Sequence, residues 1–412
     1  MHRTQPLRSI FSSLRLLPPF LPLGVALAMF PAGAGSVAAA EAAVALPSAR
    51  NPSLRNELQL AIDRGLRWLL PHQDTNGWWS TPDQPAISAL TLTAFQGDPL
   101  ERHRSGAGAA VVRRGYQYLL GCAQPDGGIH RSNLVTYNTA LSMVALAAAR
   151  DPGYDSLLRK SRQFLIRLQR DFDEPGKADT VFDGGIGYGS RYEHSDMGNT
   201  LAALEALHHT RALARSDSPR PSLAAPPQKD LDWAAAVQFL QNCQNLPSHN
   251  RQRWASDDPA HKGGFVYYPG HSMAGSETNG GRVALRSYGS ISYAGLLSYL
   301  YADLRRDDPR VVAVFDWLRR NYTLQENPGM GPQGLYYYFH TMTKALTAYG
   351  AEELTVEGGG TIRWRQEVAL RLLDLQQKDG SWINESGRWM EKDPVLVTSY
   401  ALLALELIAR GL

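Results

Sequence analysis

The stretch Gly65–Trp79 reads GLRWLLPHQDTNGWW. An apolar helical run ends near Gln73, crosses a polar turn at Gly77 and arrives at Trp79. The layout returns at Val368–Trp382, VALRLLDLQQKDGSW, with Gln376, Gly380 and Trp382 at the same offsets. A looser copy, GYQYLLGCAQPDGGI, runs from Gly115 to Ile129; Gln124 precedes Gly128, and Ile129 replaces the tryptophan one place early. Two further copies are interrupted: SRQFLIRLQ (Ser161–Gln169) resumes at DGGIGYG (Asp183–Gly189), and AVQFLQNCQ (Ala236–Gln244) resumes at KGGFVYY (Lys262–Tyr268). VFDWLRRNY (Val314–Tyr322) is a degenerate copy. Together they make about six units at a period of roughly 45 to 80 residues, the mark of a repeat architecture.

Each unit holds two helices of different character. The first is amphipathic, as in LRKSRQFLIRLQ, and belongs outside with one wet face. The second is apolar and rich in small residues, as in NTALSMVALAAA or LVTSYALLALELI, and belongs inside, where helices converge. Six such alternations close into an all-α, α6/α6 double ring, which needs no capping repeats. In this reading the glycine supplies a positive-φ turn after the outer helix. The glutamine satisfies backbone groups orphaned at a helix end. The tryptophan covers the turn with a large apolar plate. The motif is a corner brace.

The 412 residues are 43% hydrophobic and 20% charged, an ordinary globular balance with ample material for a core. A net charge of +3 with no polybasic block points away from nucleic acid as a partner. Past the N-terminus no apolar run suggests a transmembrane span. The N-terminus places Arg3, Arg8 and Arg15 before LLPPFLPLGVALAMF and the small residues Ala38 and Ala40. That is the order of a bacterial-type secretory signal over residues 1–40, followed by a linker over 41–54 and the toroid over 55–412, so the expected location is periplasmic or secreted. Cys122 and Cys243 fall at the ends of outer helices in different units. Such ends lie roughly 30 Å apart in a ring of helices ~10 Å wide, far beyond the ~5.5 Å between Cα atoms that a disulfide needs. Two free, buried thiols are expected.

Insertions at 170–182, 245–262, 267–284 and 383–394 all join an outer helix to the next inner helix, so they gather on one face. An elaborated face over a central cavity is the default ligand mouth. The inner-helix N-termini beneath it supply Tyr137, Asn138, Ser287, Tyr288, Tyr338 and Tyr400 as candidate ligand contacts. His194, Asp196 and His340 are the candidate catalytic groups, a histidine near a carboxylate being able to move a proton close to neutral pH. N-capping by Ser, Asn and Asp is the competing reading of the same residues.

The recurring glutamine, glycine and tryptophan resemble the QW repeat of squalene–hopene and oxidosqualene cyclases, and the ring resembles that of protein prenyltransferase beta subunits. The resemblance covers about residues 55 to 411 and implies a terpenoid-cyclase-like toroid with a lipid or isoprenoid ligand. It implies a proton donor at the middle aspartate of Asp-x-Asp-Asp-Thr-Ala. The nearest text is DMGNTLA (Asp196–Ala202), which keeps Asp196 and Thr200 but has Gly198 and Asn199 at the other two acidic positions. Triterpene cyclase activity is therefore not expected. The prenyltransferase resemblance makes His340 the counterpart of a zinc ligand. The preceding unit, RSYGSISYAGLL, has no Asp or Cys to complete a site of three protein ligands, so neither zinc nor another cofactor is expected. Two functions follow: a binding protein for an apolar or amphipathic small molecule, or an enzyme acting through His194, Asp196 and His340 on an extracytoplasmic substrate, either a polysaccharide lyase or hydrolase or an atypical isoprenoid cyclase or transferase.

Overall fold

The computed structural model describes residues 51–170, 179–190, 192, 194–214, 230–279 and 281–412. The expected export signal, most of the linker and nearly all of the Pro-rich loop at 216–230 lie outside them. The described residues belong to one compact unit, Arg50–Leu412.

Twelve α-helices alternate between two layers among the described residues. The outer ones are α1 (Pro52–Leu69), α3 (Gly106–Gly121), α5 (Asp155–Arg167), α7 (Trp233–Asn242), α9 (Pro309–Arg320) and α11 (Trp364–Leu375). The inner ones are α2 (Pro85–Gly97), α4 (Val135–Ala148), α6 (Met197–His209), α8 (Gly289–Tyr301), α10 (Leu335–Tyr349) and α12 (Pro394–Gly411). Each inner helix packs against the inner helices before and after it, and α12 packs against α2, which closes the ring. Sequence character decides the layer. In α5 the buried residues include Leu158, Ser161 and Leu165, spaced three and four apart on one face. In α8 every residue but Leu300 is buried. The last inner helix, α12, is long and apolar enough to cross a membrane by length and composition. The sequence expectation overlooked this run; in the structure it is the core helix that completes the ring.

The brace is more than a cover for a turn. Gln73 Nε2 donates to Gly77 O in its own turn, at 3.0 Å, and to Val111 O in the next outer helix, at 2.9 Å. Gln169 and Gln244 make the same double contact, reaching Asp232 O and Arg310 O respectively. The amide therefore fastens one unit to the next. Gly77 has φ 96°, and a Cβ there would lie 2.4 Å from Arg114 O, so the turn sits directly against the neighbouring outer helix. The indole Nε1 of Trp79 donates to Leu69 O, an orphan carbonyl at the end of α1, and Trp382 does the same to Leu372 O. A hydroxyl on the following inner helix then accepts the plate residue's N–H: Ser88 for Trp79, Thr139 for Ile129, Thr200 for Ile186, Ser292 for Phe265 and Thr398 for Trp382.

Unit two corrects the sequence alignment. Ala123 pairs with Ile129 as Gln73 pairs with Trp79, and the positive-φ glycine is Gly127. Ile129 is in register, and Gln124 is the counterpart of Asp74. Its amide accordingly bonds only locally, to Cys122 O and His130 O. Cys122 and Cys243 are free and buried. Two hairpins decorate the ring: β1 (Ser276–Asn279) with β2 (Arg282–Leu285), at the end of the 267–284 insertion and one residue past it, and β3 (Leu354–Thr355) with β4 (Thr361–Ile362) between α10 and α11.

Candidate functional site

A cavity of about 320 Å³ opens among the N-termini of the inner helices, and all six contribute to its wall. Six tyrosines dominate: Tyr137 on α4, Tyr188 and Tyr267 on connecting segments, Tyr288 at the N-cap of α8, Tyr337 on α10 and Tyr400 on α12. Between them stand Ile87, Leu90, Ile291 and Leu396, with Met273, Trp389 and Met390 from the insertions. A larger concavity of about 560 Å³ lies by α9 and the β3–β4 hairpin, away from the inner helices. Its arginines are tied to main-chain carbonyls of its own lining, Arg319 to Thr355 O and Arg320 to Lys262 O. The central cavity is the better ligand site because it is mostly apolar with a few converging polar groups.

The phenols pair across the wall, Tyr137 with Tyr400 at 3.1 Å and Tyr188 with Tyr267 at 2.9 Å. Burial pushes the phenols of Tyr137, Tyr188, Tyr288 and Tyr400 up, so they enter any chemistry as neutral hydroxyls.

One wall carboxylate was not anticipated. Glu391 lines the cavity and accepts from Tyr337 N at 2.8 Å, Tyr336 N at 3.3 Å and Asn384 Nδ2 at 2.6 Å. It caps α10, whose own N-cap is Gly334 and has no side chain to do so. Burial raises its carboxyl above the usual range, and the three donors oppose that rise. Two residues earlier the chain is left-handed at consecutive non-glycine positions, Trp389 (φ 55°) and Met390 (φ 65°). Both side chains line the cavity while remaining more than two-fifths exposed, at 44% and 43%.

Of the nine sequence candidates, Tyr137, Tyr288 and Tyr400 line the cavity and six stand outside its wall. Asp196 is fully buried as the N-cap of α6, accepting from Asn199 N at 2.9 Å and from Asn199 Nδ2 at 2.8 Å. Burial drives its carboxyl up, and the cavity meets Gly198 and Asn199 in its place. His194 packs on Tyr268, ring centroids 4.3 Å apart, beside Phe182. His340 stacks on Tyr400 at 5.2 Å behind the wall. Burial and then Lys344 hold its pKa well below the usual value. Lys344 itself pairs with Glu205, joining α10 to α6. None of His194, Asp196 and His340, which the sequence placed around one space, lines the cavity, although His194 and Asp196 stay within electrostatic reach of each other. Asn138 reaches sideways to cap α2, accepting Ala86 N at 3.0 Å. Ser287 bridges Asn245 and His261 O. Tyr338 points away, its hydroxyl donating to Thr323 O. Its neighbour Tyr337, about 100° round the helix, is the residue that faces the cavity.

The surroundings of His340 do not suit zinc, since its neighbours are a phenol ring and a lysine cation. Among the described residues no three His, Cys, Asp or Glu side chains gather as metal ligands would.

No family model matches the chain, and no curated protein matches it. Solved structures do. Ligand-free type II terpene cyclase MstE from Scytonema aligns with a TM-score of 0.51 at 14% identity, covering 87% of this chain and 99% of that one. An inactive variant of the alpha-1,6-mannanase GH76A of Salegentibacter, in complex with alpha-1,6-mannotriose, aligns with a TM-score of 0.51 at 10% identity, covering 86% and 99%. These likenesses define the class: an α/α toroid, the fold expected from the repeats. At such identities they establish the fold alone, and one toroid serves unrelated chemistries.

Proposed function

We propose that the protein holds an apolar or amphipathic small molecule in the mouth of the toroid and does not cyclise triterpenes. The observation that carries this is the wall of the cavity: tyrosine and aliphatic side chains from five of the six inner helices and their flanking segments, tryptophan and methionine from the insertions, and no Lys, Arg or His among them. A glycan would call for denser hydrogen bonding, and an isoprenoid diphosphate would call for bases. The absence of cyclase chemistry rests on Gly198 and Asn199 at the cavity wall, with Asp196 occupied by capping behind them. Native mass spectrometry of the purified protein tests the first part. An apolar adduct is expected, and one lost when the tyrosine wall is thinned by Tyr288→Ala. A bound oligosaccharide would overturn it. Incubation with squalene tests the second, and a cyclic product in the extract would refute it.

We also infer export, from the arginines, apolar run and small residues of the N-terminal segment. Fractionation of cells producing the full chain, with N-terminal sequencing of the mature protein, decides that point: processing near Ala40 supports it, and an intact N-terminus in the cytoplasm contradicts it.

A further inference from the structure

The cavity wall combines aromatic rings with one carboxylate, Glu391, and holds no Lys, Arg or His. Asp196 and Glu391 stand at the N-termini of α6 and α10, the two inner helices that flank α8. Both carboxyls lie within electrostatic reach of the wall phenols. After burial, Asp196 is the next influence raising Tyr267, and it also raises Tyr288 and Tyr337. Glu391 raises Tyr400. Arg388 stands at the rim of the cavity, held against two wall residues and one residue beyond the wall. Its guanidinium lies 4.5 Å over the Trp389 ring and donates to Gln333 Oε1 and Met273 Sδ. Lys344, below the wall, is neutralised by Glu205. Aromatic rings attract cations electrostatically, and the attraction grows when water is excluded.

We propose that the ligand of this cavity is an organic cation: an amine or quaternary ammonium head on an apolar body, with the head among the tyrosines near Glu391 and the body against Ile87, Leu90, Ile291 and Leu396. This rests on the reading of the cavity as a ligand site and narrows it. An anionic head is disfavoured, because it would meet Glu391 with no base in the wall.

Titration calorimetry on the full chain, with three probes of similar size, separates the possibilities. They are hexyltrimethylammonium, the neutral hydrocarbon in which carbon replaces its nitrogen, and octanoate. The ammonium is expected to bind at least about tenfold more tightly than its neutral isostere, the scale of a desolvated cation–π contact, and octanoate more weakly than either. Glu391→Gln, which keeps the side chain's size, is expected to reduce that ratio by about tenfold while the neutral probe binds as before. The comparison within the unaltered protein stands even where the variant misfolds. Equal binding of the ammonium and its isostere would overturn the cation and leave the apolar cavity standing. Tightest binding of octanoate would overturn the cation as well. Failure of all three to bind would overturn both the cation and the cavity as a ligand site.

Discussion

The side-chain amide of Gln376 donates to the main-chain carbonyl of Ala61, 2.9 Å away, across 315 positions of sequence. The same amide holds Gly380 O at 2.9 Å, within its own turn. Gly380 backs onto α1, where a Cβ would lie 2.7 Å from Arg64 O. The last unit is thus fastened to the first by the device that fastens units one, three and four to their successors. A closed ring has no free end at which fraying can start.

Gln376→Ala removes both contacts at the seam and leaves Gly380 O without this donor, while Ala61 O, inside α1, keeps its helical partner. The expected cost is about 1–3 kcal/mol of unfolding free energy, the range for orphaned buried polar groups. Gln124→Ala removes only local contacts inside unit two and is expected to cost less. Denaturant titration of both variants checks the order, and a larger loss at Gln124 would show that the seam contributes little.

Trp382 is fully buried, and its indole N–H is committed to Leu372 O. Trp382→Ala is expected to destabilise the ring by roughly 3–5 kcal/mol, the usual range for emptying a buried tryptophan site. Trp382→Phe is expected to cost less, losing the hydrogen bond but keeping most of the plate. The readout is the unfolding midpoint. A variant that lost ligand while keeping its stability would mark the position as a binding site instead of a brace.

The repeats made the fold legible because the braces use local chemistry, a turn glycine and a large apolar plate that covers it, an indole in the first and last units. Register within a unit was legible only where the glutamine and tryptophan both survive. In unit two, Gln124 drew the alignment one residue off, since adjacent positions in QPDGG satisfy the same pattern. The site was legible in part. Tyr137, Tyr288 and Tyr400 line the cavity from inner-helix N-termini, which the apolar runs located. Tyr338 in place of Tyr337 is an error of one residue, which on a helix is about 100° of rotation. Asp196 and Asn138 resemble ligand contacts in sequence, but helix ends need caps and these residues supply them. Glu391 was out of reach because it caps a helix start 54 residues earlier. No local rule connects a carboxylate to a partner that distant.

His340 is 7% exposed, and its pKa is held well below the usual value by burial and then by Lys344. A histidine whose folded pKa is depressed takes up its proton more readily in the unfolded chain. Below about pH 6.5, the ordinary histidine value, the unfolded state binds more protons, so stability falls with pH. His340→Phe keeps an aromatic ring against Tyr400 and removes the titration. Melting curves from about pH 7.5 down to about pH 5, a window that brackets that reference pKa, are expected to show a shallower decline for the variant than for the parent. Parallel declines would mean that His340 does not carry the acid sensitivity.

Trp389 combines three properties that seldom coincide: a left-handed backbone with φ 55° and ψ 36°, a place in the cavity wall, and 44% exposure. Left-handed geometry costs an ordinary L-residue roughly 1 kcal/mol and costs glycine almost nothing. Strain of this kind persists where the surroundings impose it, and it gathers at ligand clamps. Here Glu391, two residues on, is tied to the start of α10, while Arg388 lies over the indole. The corner is therefore held from both sides with its ring at the mouth. Trp389→Gly removes the strain and the ring together. Its expected outcome is a melting temperature equal to or above the parent's, with ligand affinity reduced about tenfold or more, the effect of losing a large aromatic contact. Calorimetric melting and hexyltrimethylammonium titration of the same preparation measure both. A marked fall in melting temperature with affinity unchanged would assign Trp389 to structural packing and leave the mouth without its clamp.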